Sequence, residues 1–137
     1  MSEFSWPVRV YYEDTDSGGV VYYANYLRFM ERARTEWLRS FGVEQDKLLS
    51  QDGIIFAVRS ANVEFFRPGR FNDRLTVVST IASRGRASLV FAQKVVRDDD
   101  NRETLCVAEV KVACVNAATM KPQAIPPNLI TEIFGDR

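Results

Sequence analysis

The sequence predicts an α+β fold in which an antiparallel sheet of five strands curls around one long helix. The first observation is a helical repeat of apolar residues over residues 23–41. The second is a series of four strand-like segments after this helix, separated by turn residues. The third is a β-branched and aromatic segment before the helix, at residues 8–12. A long apolar stripe on a helix is buried most economically when the sheet curls around it.

The helix predicted over residues 23–41 follows a loop and ends at a glycine. Its apolar side chains recur every three or four positions and form one stripe: Tyr23, Tyr26, Leu27, Met30, Ala33, Trp37, Leu38 and Phe41. Gly42 supplies the stop signal, because glycine readily adopts the left-handed conformation that ends many helices. At about 1.5 Å per residue the helix would be about 28 Å long, enough to cross the face of a small sheet.

Four strands are predicted after a short polar stretch at residues 44–52. They cover residues 54–67, 75–83, 87–97 and 103–116. The short turns between them are typical of hairpins and predict an antiparallel meander. An apolar tail after Pro126 and Pro127 is long enough for one or two helical turns. Because such a sheet leaves edges and part of an apolar face uncovered, we expect a homo-oligomer, either a dimer or a dimer of dimers.

The overall composition is that of a single soluble domain spanning residues 1–137. No stretch approaches the roughly 18 apolar residues that a membrane-spanning helix needs. Residues 2–7 have neither the basic start nor the apolar run of a signal peptide, so a cytoplasmic protein is expected, with peripheral attachment at the inner membrane as a variant. Lys plus Arg equal Asp plus Glu at 18 each, which argues against nucleic acid as the main partner.

Histidine is absent from the chain, and this excludes several kinds of chemistry. Ser-His-Asp and Cys-His catalysis and every zinc site that contains histidine are ruled out. Cys106 and Cys114 lie on the same face of one predicted strand, about 26 Å apart at about 3.3 Å per residue, so they cannot form a disulfide within it. Any hydrolytic chemistry must therefore depend on carboxylates, backbone dipoles or water.

A loop rich in carboxylates and glycine, residues 13–19, lies just before the predicted helix. Unpaired N–H groups at a helix start can polarise a carbonyl group, and a neighbouring carboxylate can attack it or activate water. A calcium loop is disfavoured, because Asn25 occupies the twelfth position, where a bidentate Glu is required. An aspartyl-phosphate phosphotransferase is disfavoured because no βαβ alternation follows.

A purely structural interpretation of this loop stays open on the residues alone. Loops of this composition are mostly turns. Asn25 is itself a good N-cap residue, and a helix that it capped would begin two residues after Tyr23. The unpaired N–H groups would then lie at about Leu27 and Arg28.

The loop and the helix together resemble a known family. The motif residues are Tyr12-Glu13-Asp14-Thr15-Asp16, then Gly19-Val20-Val21-Tyr22-Tyr23-Ala24-Asn25-Tyr26, and then Arg32-Ala33-Arg34-Thr35-Glu36-Trp37. This pattern resembles the hot-dog-fold acyl-CoA thioesterases, most closely the YbgC branch associated with the Tol-Pal system and secondarily the 4-hydroxybenzoyl-CoA thioesterases. The resemblance extends over residues 8–134 and implies hydrolysis of an acyl-CoA to a free acid and coenzyme A.

The resemblance also implies roles for two residues of the loop. Asp16 matches the family's catalytic aspartate, which acts either as a nucleophile through a mixed anhydride or as a general base on water. The backbone N–H of Tyr23 matches the group that polarises the thioester carbonyl. The YbgC branch usually has His at this position and the hydroxybenzoyl-CoA enzymes have Tyr, so the preferred acyl group stays open.

The resemblance assigns substrate contacts to further residues. In the loop these are Gly19 and Val20. A second group lies on a strand that a partner subunit would bring to the loop: Ser60, Ala61, Asn62 and Val63. A third group lies at a hairpin turn near the coenzyme A phosphates: Arg84, Gly85 and Arg86. Ordinary solvated charges are an equal alternative for the two arginines. The resemblance implies no cofactor or metal, and coenzyme A is part of the substrate. Acyl carrier protein is a further candidate partner. The rival from another class is a catalytically silent acyl-thioester-binding or scaffold protein.

Overall fold

The computed structural model describes residues 3–135. Ser2, which belongs to the signal-peptide argument, lies outside the described residues. Five strands form one antiparallel sheet: β1 (Phe4–Arg9), β2 (Ile54–Phe65), β3 (Arg74–Arg84), β4 (Ser88–Arg97) and β5 (Thr104–Asn116). The helices are α1 (Asn25–Ser40), the short α2 (Gln45–Lys47), which continues into a wide turn at Leu48–Asp52, and α3 (Pro127–Phe134).

The strand order in the sheet is β1-β3-β4-β5-β2, which confirms antiparallel pairing but corrects the expected meander. Strands β3, β4 and β5 are paired in sequence order, as predicted. Strand β2 instead pairs with β5 at the far edge of the sheet, with Ala61 opposite Val110. Turn signals between adjacent segments predict hairpins, but they do not show that residues 66–73 form a long crossover rather than a hairpin.

The first strand lies earlier in the chain than residues 8–12. Phe4, Trp6 and Val8 alternate with more exposed residues and face the core, and β1 pairs with β3 along its whole length. Pro7 is tolerated because β1 is an edge strand, where a missing N–H donor is not needed on the open side. Tyr12–Asp14 forms a single 3-10 turn instead of continuing the strand. The chain therefore leaves the sheet before it reaches the carboxylate-rich loop.

Helix α1 packs on one face of the sheet and supplies much of the core. The buried residues of α1 are Asn25, Tyr26, Phe29, Met30, Ala33, Arg34, Trp37 and Leu38. The predicted stripe is correct for Tyr26, Met30, Ala33, Trp37 and Leu38. It is wrong for Tyr23 and Leu27, which are 61% and 40% exposed, and it omits Phe29, which is 1% exposed. No described helix is both long and apolar enough to cross a membrane.

Residues 44–52, predicted as a polar stretch, contain helical turns. The backbone N–H of Leu48 donates to the carbonyl of Glu44, and Leu48 is buried in the core. Gly53 ends this segment in the left-handed conformation, with φ of 66°, and β2 begins at the next residue. The segment thus covers one end of the core between α1 and β2.

Candidate active site

The carboxylate-rich loop is a tight turn that holds the side chain of Asp16. The N–H of Asp16 donates to the Val20 carbonyl at 2.9 Å, and the N–H of Gly19 donates to the Asp16 carbonyl at 3.0 Å. One carboxylate oxygen of Asp16 accepts the N–H of Gly18 at 2.9 Å. Gly19 has φ of 79°, a conformation that glycine adopts without strain. The other carboxylate oxygen of Asp16 makes no hydrogen bond within residues 3–135.

The two sides of the loop are tied together and to the start of α1. Thr15 and Val21 form an antiparallel bridge. The Asp14 carbonyl accepts both the N–H of Tyr22 at 2.9 Å and the side-chain amide of Asn25 at 2.8 Å. The side chain of Asn25 therefore tethers the loop to the helix, and the interpretation of Asn25 as an N-cap is wrong.

The helix proper begins at Asn25, two residues later than predicted, but a turn precedes it. The N–H groups of Asn25, Tyr26 and Leu27 donate to the carbonyls of Tyr22, Tyr23 and Ala24, which is the spacing of a 3-10 turn. The N-cap residue, Ala24, has no side-chain oxygen to accept a bond. Within the described part of the chain the N–H of Tyr23 has no acceptor. This N–H therefore lies at the positive end of α1 without an acceptor in that part of the chain. Its role toward a thioester carbonyl stays a prediction.

A second loop, residues 66–73, supports the first one. The Gly69 carbonyl accepts the N–H of Val21 at 2.8 Å, and Val20 forms a bridge with Arg70. The N–H of Gly69 donates to the hydroxyl oxygen of Tyr26 at 2.9 Å. A Cβ atom at position 69 would lie 3.1 Å from a Val21 methyl carbon, which is closer than ordinary van der Waals contact. A side chain larger than glycine would therefore require Val21 to shift slightly.

Arg97 on β4 fixes this supporting loop from the other side. Its guanidinium group donates to the Pro68 carbonyl at 2.9 Å and forms ion pairs with Asp73 and, at 3.3 Å, with Glu103. The carboxylate of Asp73 also accepts the N–H of Arg70. None of these contacts was predicted from the sequence, because the ones that fix the loop join Arg97 to Pro68 and Asp73, which lie 29 and 24 positions away in the chain.

We expect Tyr26→Phe to lower the free energy of unfolding by about 1–3 kcal/mol. The substitution leaves the buried N–H of Gly69 without an acceptor and loosens the loop that holds Val21. Burial raises the pKa of the Tyr26 hydroxyl, and the hydrogen bond from Gly69 opposes this shift. The matched control is Tyr22→Phe, because Tyr22 is 47% exposed and makes no side-chain hydrogen bond within residues 3–135. Urea unfolding of both variants measures the difference, and equal stabilities would contradict the assigned role of Tyr26.

Exposed aromatic side chains lie close to the carboxylate-rich loop in the chain and pack against one another. Tyr23 contacts both Tyr22 and Phe65, with ring centroids 5.0 and 6.0 Å apart. The Tyr12 ring lies 4.6 Å from the ring of Phe71. Apolar groups of this size are rarely left together on the surface of a monomer unless they bind something.

The structure does not bring all of the predicted substrate contacts to Asp16 within one chain. Gly19 and Val20 lie in the Asp16 loop. On β2, Ala61 and Val63 lie on the face that packs against α1, whereas Ser60 and Asn62 lie on the opposite face. Asn62 there lines a groove of about 530 Å³. Whether these residues reach the loop of another subunit stays a prediction.

The hairpin turn at Arg84, Gly85 and Arg86 lies at the far end of β3 from the site. Arg74 begins β3 beside the supporting loop, and ten residues at about 3.3 Å each place Arg84 about 33 Å away. The guanidinium of Arg84 stacks on the Phe134 ring at 4.3 Å. Any contact of these residues with a coenzyme A bound at Asp16 would have to come from another subunit, and this assignment stays a prediction.

The two cysteines are free, as predicted, and both are buried. Burial raises the pKa of the Cys106 thiol to about 11 and also raises that of Cys114. Both are therefore protonated at neutral pH and unsuited to nucleophilic attack. Among the residues that the structure describes, no three carboxylates or thiols converge on a common point that could hold a metal ion.

Comparison with known proteins identifies the family. A model of the thioesterase-like superfamily matches residues 10–133, nearly the whole chain. The chain belongs to the thioesterase-like superfamily. The acyl-CoA thioester hydrolase YbgC of Escherichia coli O157:H7 is 46% identical to the present chain over 129 residues, which cover 94% of each protein. The acyl-CoA thioesterase YbgC of Haemophilus influenzae is 45% identical over 123 residues, covering 90% of this chain and 88% of the relative.

A solved structure shows the same fold. The crystal structure of a 1,4-dihydroxy-2-naphthoyl-CoA thioesterase from Synechocystis matches the present structure with a TM-score of 0.89. The two sequences are 25% identical, and the match covers 96% of both chains. The hot-dog fold and the YbgC-like membership that the loop and helix motif predicted are therefore confirmed.

Proposed function

We propose that this protein hydrolyses acyl-CoA thioesters, with Asp16 and the backbone N–H of Tyr23 as the reacting groups. The observation that supports this proposal most strongly is the loop itself. Within residues 3–135, one carboxylate oxygen of Asp16 and the N–H of Tyr23 make no hydrogen bond, and both groups lie on the same bridged loop before α1. The YbgC relatives, named as acyl-CoA thioesterases, support the substrate class.

The chemistry needs no histidine, because a thioester carbonyl is already activated. As negative charge develops on the carbonyl oxygen, the Tyr23 N–H stabilises it by a hydrogen bond aided by the positive end of α1. Asp16 either attacks the carbonyl carbon, forming a mixed anhydride that water then hydrolyses, or removes a proton from the attacking water. In both routes the C–S bond breaks, coenzyme A leaves as its thiolate and is protonated by solvent, and the acid is released.

A panel of thioesters tests the proposal. Release of free coenzyme A would be measured with acetyl-, hexanoyl-, palmitoyl- and 4-hydroxybenzoyl-CoA. We expect hydrolysis of at least one of them, and the pattern distinguishes aliphatic from aromatic preference. If none is hydrolysed while a thioester still binds, the catalytically silent binding protein is the better account.

We propose further that the active protein is a homo-oligomer. Within residues 3–135 no strand pairs with the outer edge of β2, although β2 is 12 residues long. Long exposed edges readily pair with another chain. Aromatic side chains next to this edge are also uncovered: Phe65 is 47% exposed and Tyr23 is 61% exposed.

We therefore predict a mass of at least two chains in sedimentation equilibrium at micromolar concentration. Pairing of the two β2 edges would carry Ser60, Ala61, Asn62 and Val63 toward the second subunit. A strictly monomeric protein that still hydrolyses thioesters would contradict the requirement for a second copy.

A further inference from the structure

Two arginines lie directly opposite each other at the β1 edge of the sheet. Arg9 ends β1 and pairs in register with Arg74, the first residue of β3. Because Val8 packs against the core, Arg9 lies on the other face of the sheet, and cross-strand partners share a face. Both arginines are exposed. Like charges in opposite positions destabilise a strand pair, and a bound anion would relieve this repulsion.

The carboxylates next to this basic pair, Arg9 and Arg74, are bound to other arginines. Asp73 forms an ion pair with Arg97. Asp98, which donates its backbone N–H to the carbonyl of the β3 arginine, pairs with Arg102 at 3.3 Å. Within residues 3–135 neither member of the basic pair has an ion-pair partner. The two charges are therefore available to an anion from solution.

Both members of the basic pair line a groove of about 330 Å³. The other lining residues are Pro7, Val8, Leu75 and Asp98. A guanidinium group binds phosphate oxygens through two parallel hydrogen bonds, and two such groups side by side can hold the charges of a diphosphate. The groove thus combines a concave surface with donors that suit a phosphorylated ligand.

An exposed aromatic pair, Tyr12 and Phe71, continues the same two segments of the chain. Tyr12 lies three residues after Arg9, and Phe71 lies three residues before Arg74. The Tyr12 ring packs on the Phe71 ring although Tyr12 is 78% exposed, which leaves much of its surface open to a ligand. Arg9 donates from Nη1 to the side-chain oxygen of Asn72 at 2.9 Å, and this bond joins the basic pair to the segment that carries the rings. Aromatic side chains beside cations are typical of sites that stack a nucleobase.

The spacing between the basic pair and the aromatic pair suits a nucleotide. The N–H of Val10 donates to the Asp73 carbonyl at 3.0 Å, and the Val10 carbonyl accepts the N–H of Asn72 at 2.9 Å. These bonds keep the two segments side by side between the arginines and the rings. Three residues at about 3.3 Å each separate the two pairs by at most about 10 Å. A nucleoside diphosphate extends over a distance of this order from its base to its terminal phosphate.

We propose that this surface binds a free nucleoside diphosphate, with the phosphates on Arg9 and Arg74 and the base stacked on Tyr12. The site is separate from the Asp16 loop and from the hairpin turn at residues 84–86, and it does not depend on the proposed hydrolysis. Asp98 lines the groove and opposes an anion. Because Asp98 is exposed and water screens it, Asp98→Asn should tighten binding only by about two- to fivefold.

Calorimetric titration of the intact wild-type protein tests the site. ADP, adenosine and pyrophosphate would be compared at constant ionic strength without magnesium. We expect saturable binding of ADP with a Kd below about 1 mM. Adenosine and pyrophosphate should each bind at least about tenfold more weakly, because each lacks one of the two recognised groups. Equal affinity for ADP and adenosine, or no saturation by ADP, would overturn the proposal.

Two pairs of variants locate the bound nucleotide. Arg74→Gln should weaken ADP binding by at least about tenfold, whereas Arg32→Gln, which removes an exposed arginine from α1, should change it by less than about twofold. Tyr12→Leu should weaken ADP binding by about five- to tenfold because it removes the stacking ring. Its control is Tyr11→Leu, since Tyr11 is also exposed but contacts no other ring within residues 3–135. Equal effects within either pair would place ADP elsewhere.

Two further measurements separate this surface from the candidate active site. Asp16→Asn should bind ADP with unchanged affinity. Arg74→Gln should keep the KM for the best acyl-CoA within about twofold of wild type. A KM raised as much as the Kd for ADP would mean that the surface holds the nucleotide end of coenzyme A, and it would overturn the separate site. If no acyl-CoA is hydrolysed, the hydrolysis proposal fails while the ADP titrations still decide this one.

Discussion

Replacement of Asp16 by asparagine is expected to lower kcat for thioester hydrolysis by about 10²–10⁴-fold. The amide oxygen can still accept the N–H of Gly18, so the loop should keep its shape. The amide is neither an effective nucleophile toward the thioester nor a base for water. Steady-state release of coenzyme A from the best substrate measures the effect.

Glu13→Gln is the matched control for this variant. Glu13 lies three residues before Asp16 in the same loop, and its exposed side chain makes no hydrogen bond within residues 3–135. This control removes the same unit of charge from the loop. It should retain activity within about threefold, because screened surface charges contribute little. If Asp16→Asn and Glu13→Gln have the same activity, the reacting carboxylate has been assigned to the wrong residue.

Phe29→Ala is expected to lower the free energy of unfolding by about 3–5 kcal/mol. Phe29 is 1% exposed in the core between α1 and the sheet, and its ring packs edge-on against Tyr26, with centroids 6.1 Å apart. Its removal leaves a cavity beside the tyrosine that supports the Gly69 loop. Chemical denaturation at equilibrium gives the loss of stability.

Leu27→Ala tests the same helix on its exposed side. Leu27 is 40% exposed, although the sequence placed it in the apolar stripe. Its truncation should cost less than about 1 kcal/mol. A larger cost for Leu27→Ala than for Phe29→Ala would mean that the helix is rotated relative to the structure, or that another subunit covers Leu27.

The sequence predicts the elements of this fold better than their arrangement. Alternation and turn residues place β3, β4 and β5 to within one residue or so, because these features are local. The position of β2 next to β5 could not be predicted, because strand order depends on contacts between distant parts of the chain. The burial of Arg34 could not be predicted for the same reason. A charged residue in a helical pattern indicates an exposed position, but Arg34 is buried and donates a hydrogen bond to Gln93 on β4.

For the candidate site, the composition excludes histidine-dependent hydrolysis, and the motif identifies the candidate reacting residues. The absence of histidine removes the common hydrolytic triads, but Asp16 and Tyr23 were selected by resemblance to a family. The N–H of Tyr23 has no acceptor within residues 3–135, although α1 begins only at Asn25, and its assigned role stays a prediction. The Tyr26 hydroxyl could not be recognised as a support of the site, because its partner, Gly69, lies 43 positions away in the chain.

The most direct test of the proposed mechanism is a crystal structure of Asp16→Asn with an unhydrolysed acyl-CoA. The account predicts that the thioester carbonyl oxygen accepts the N–H of Tyr23 at about 2.7–3.1 Å. The side chain at position 16 should face the carbonyl carbon at about 3–3.5 Å, directly or through one water. A thioester bound with its carbonyl away from both residues would contradict the account.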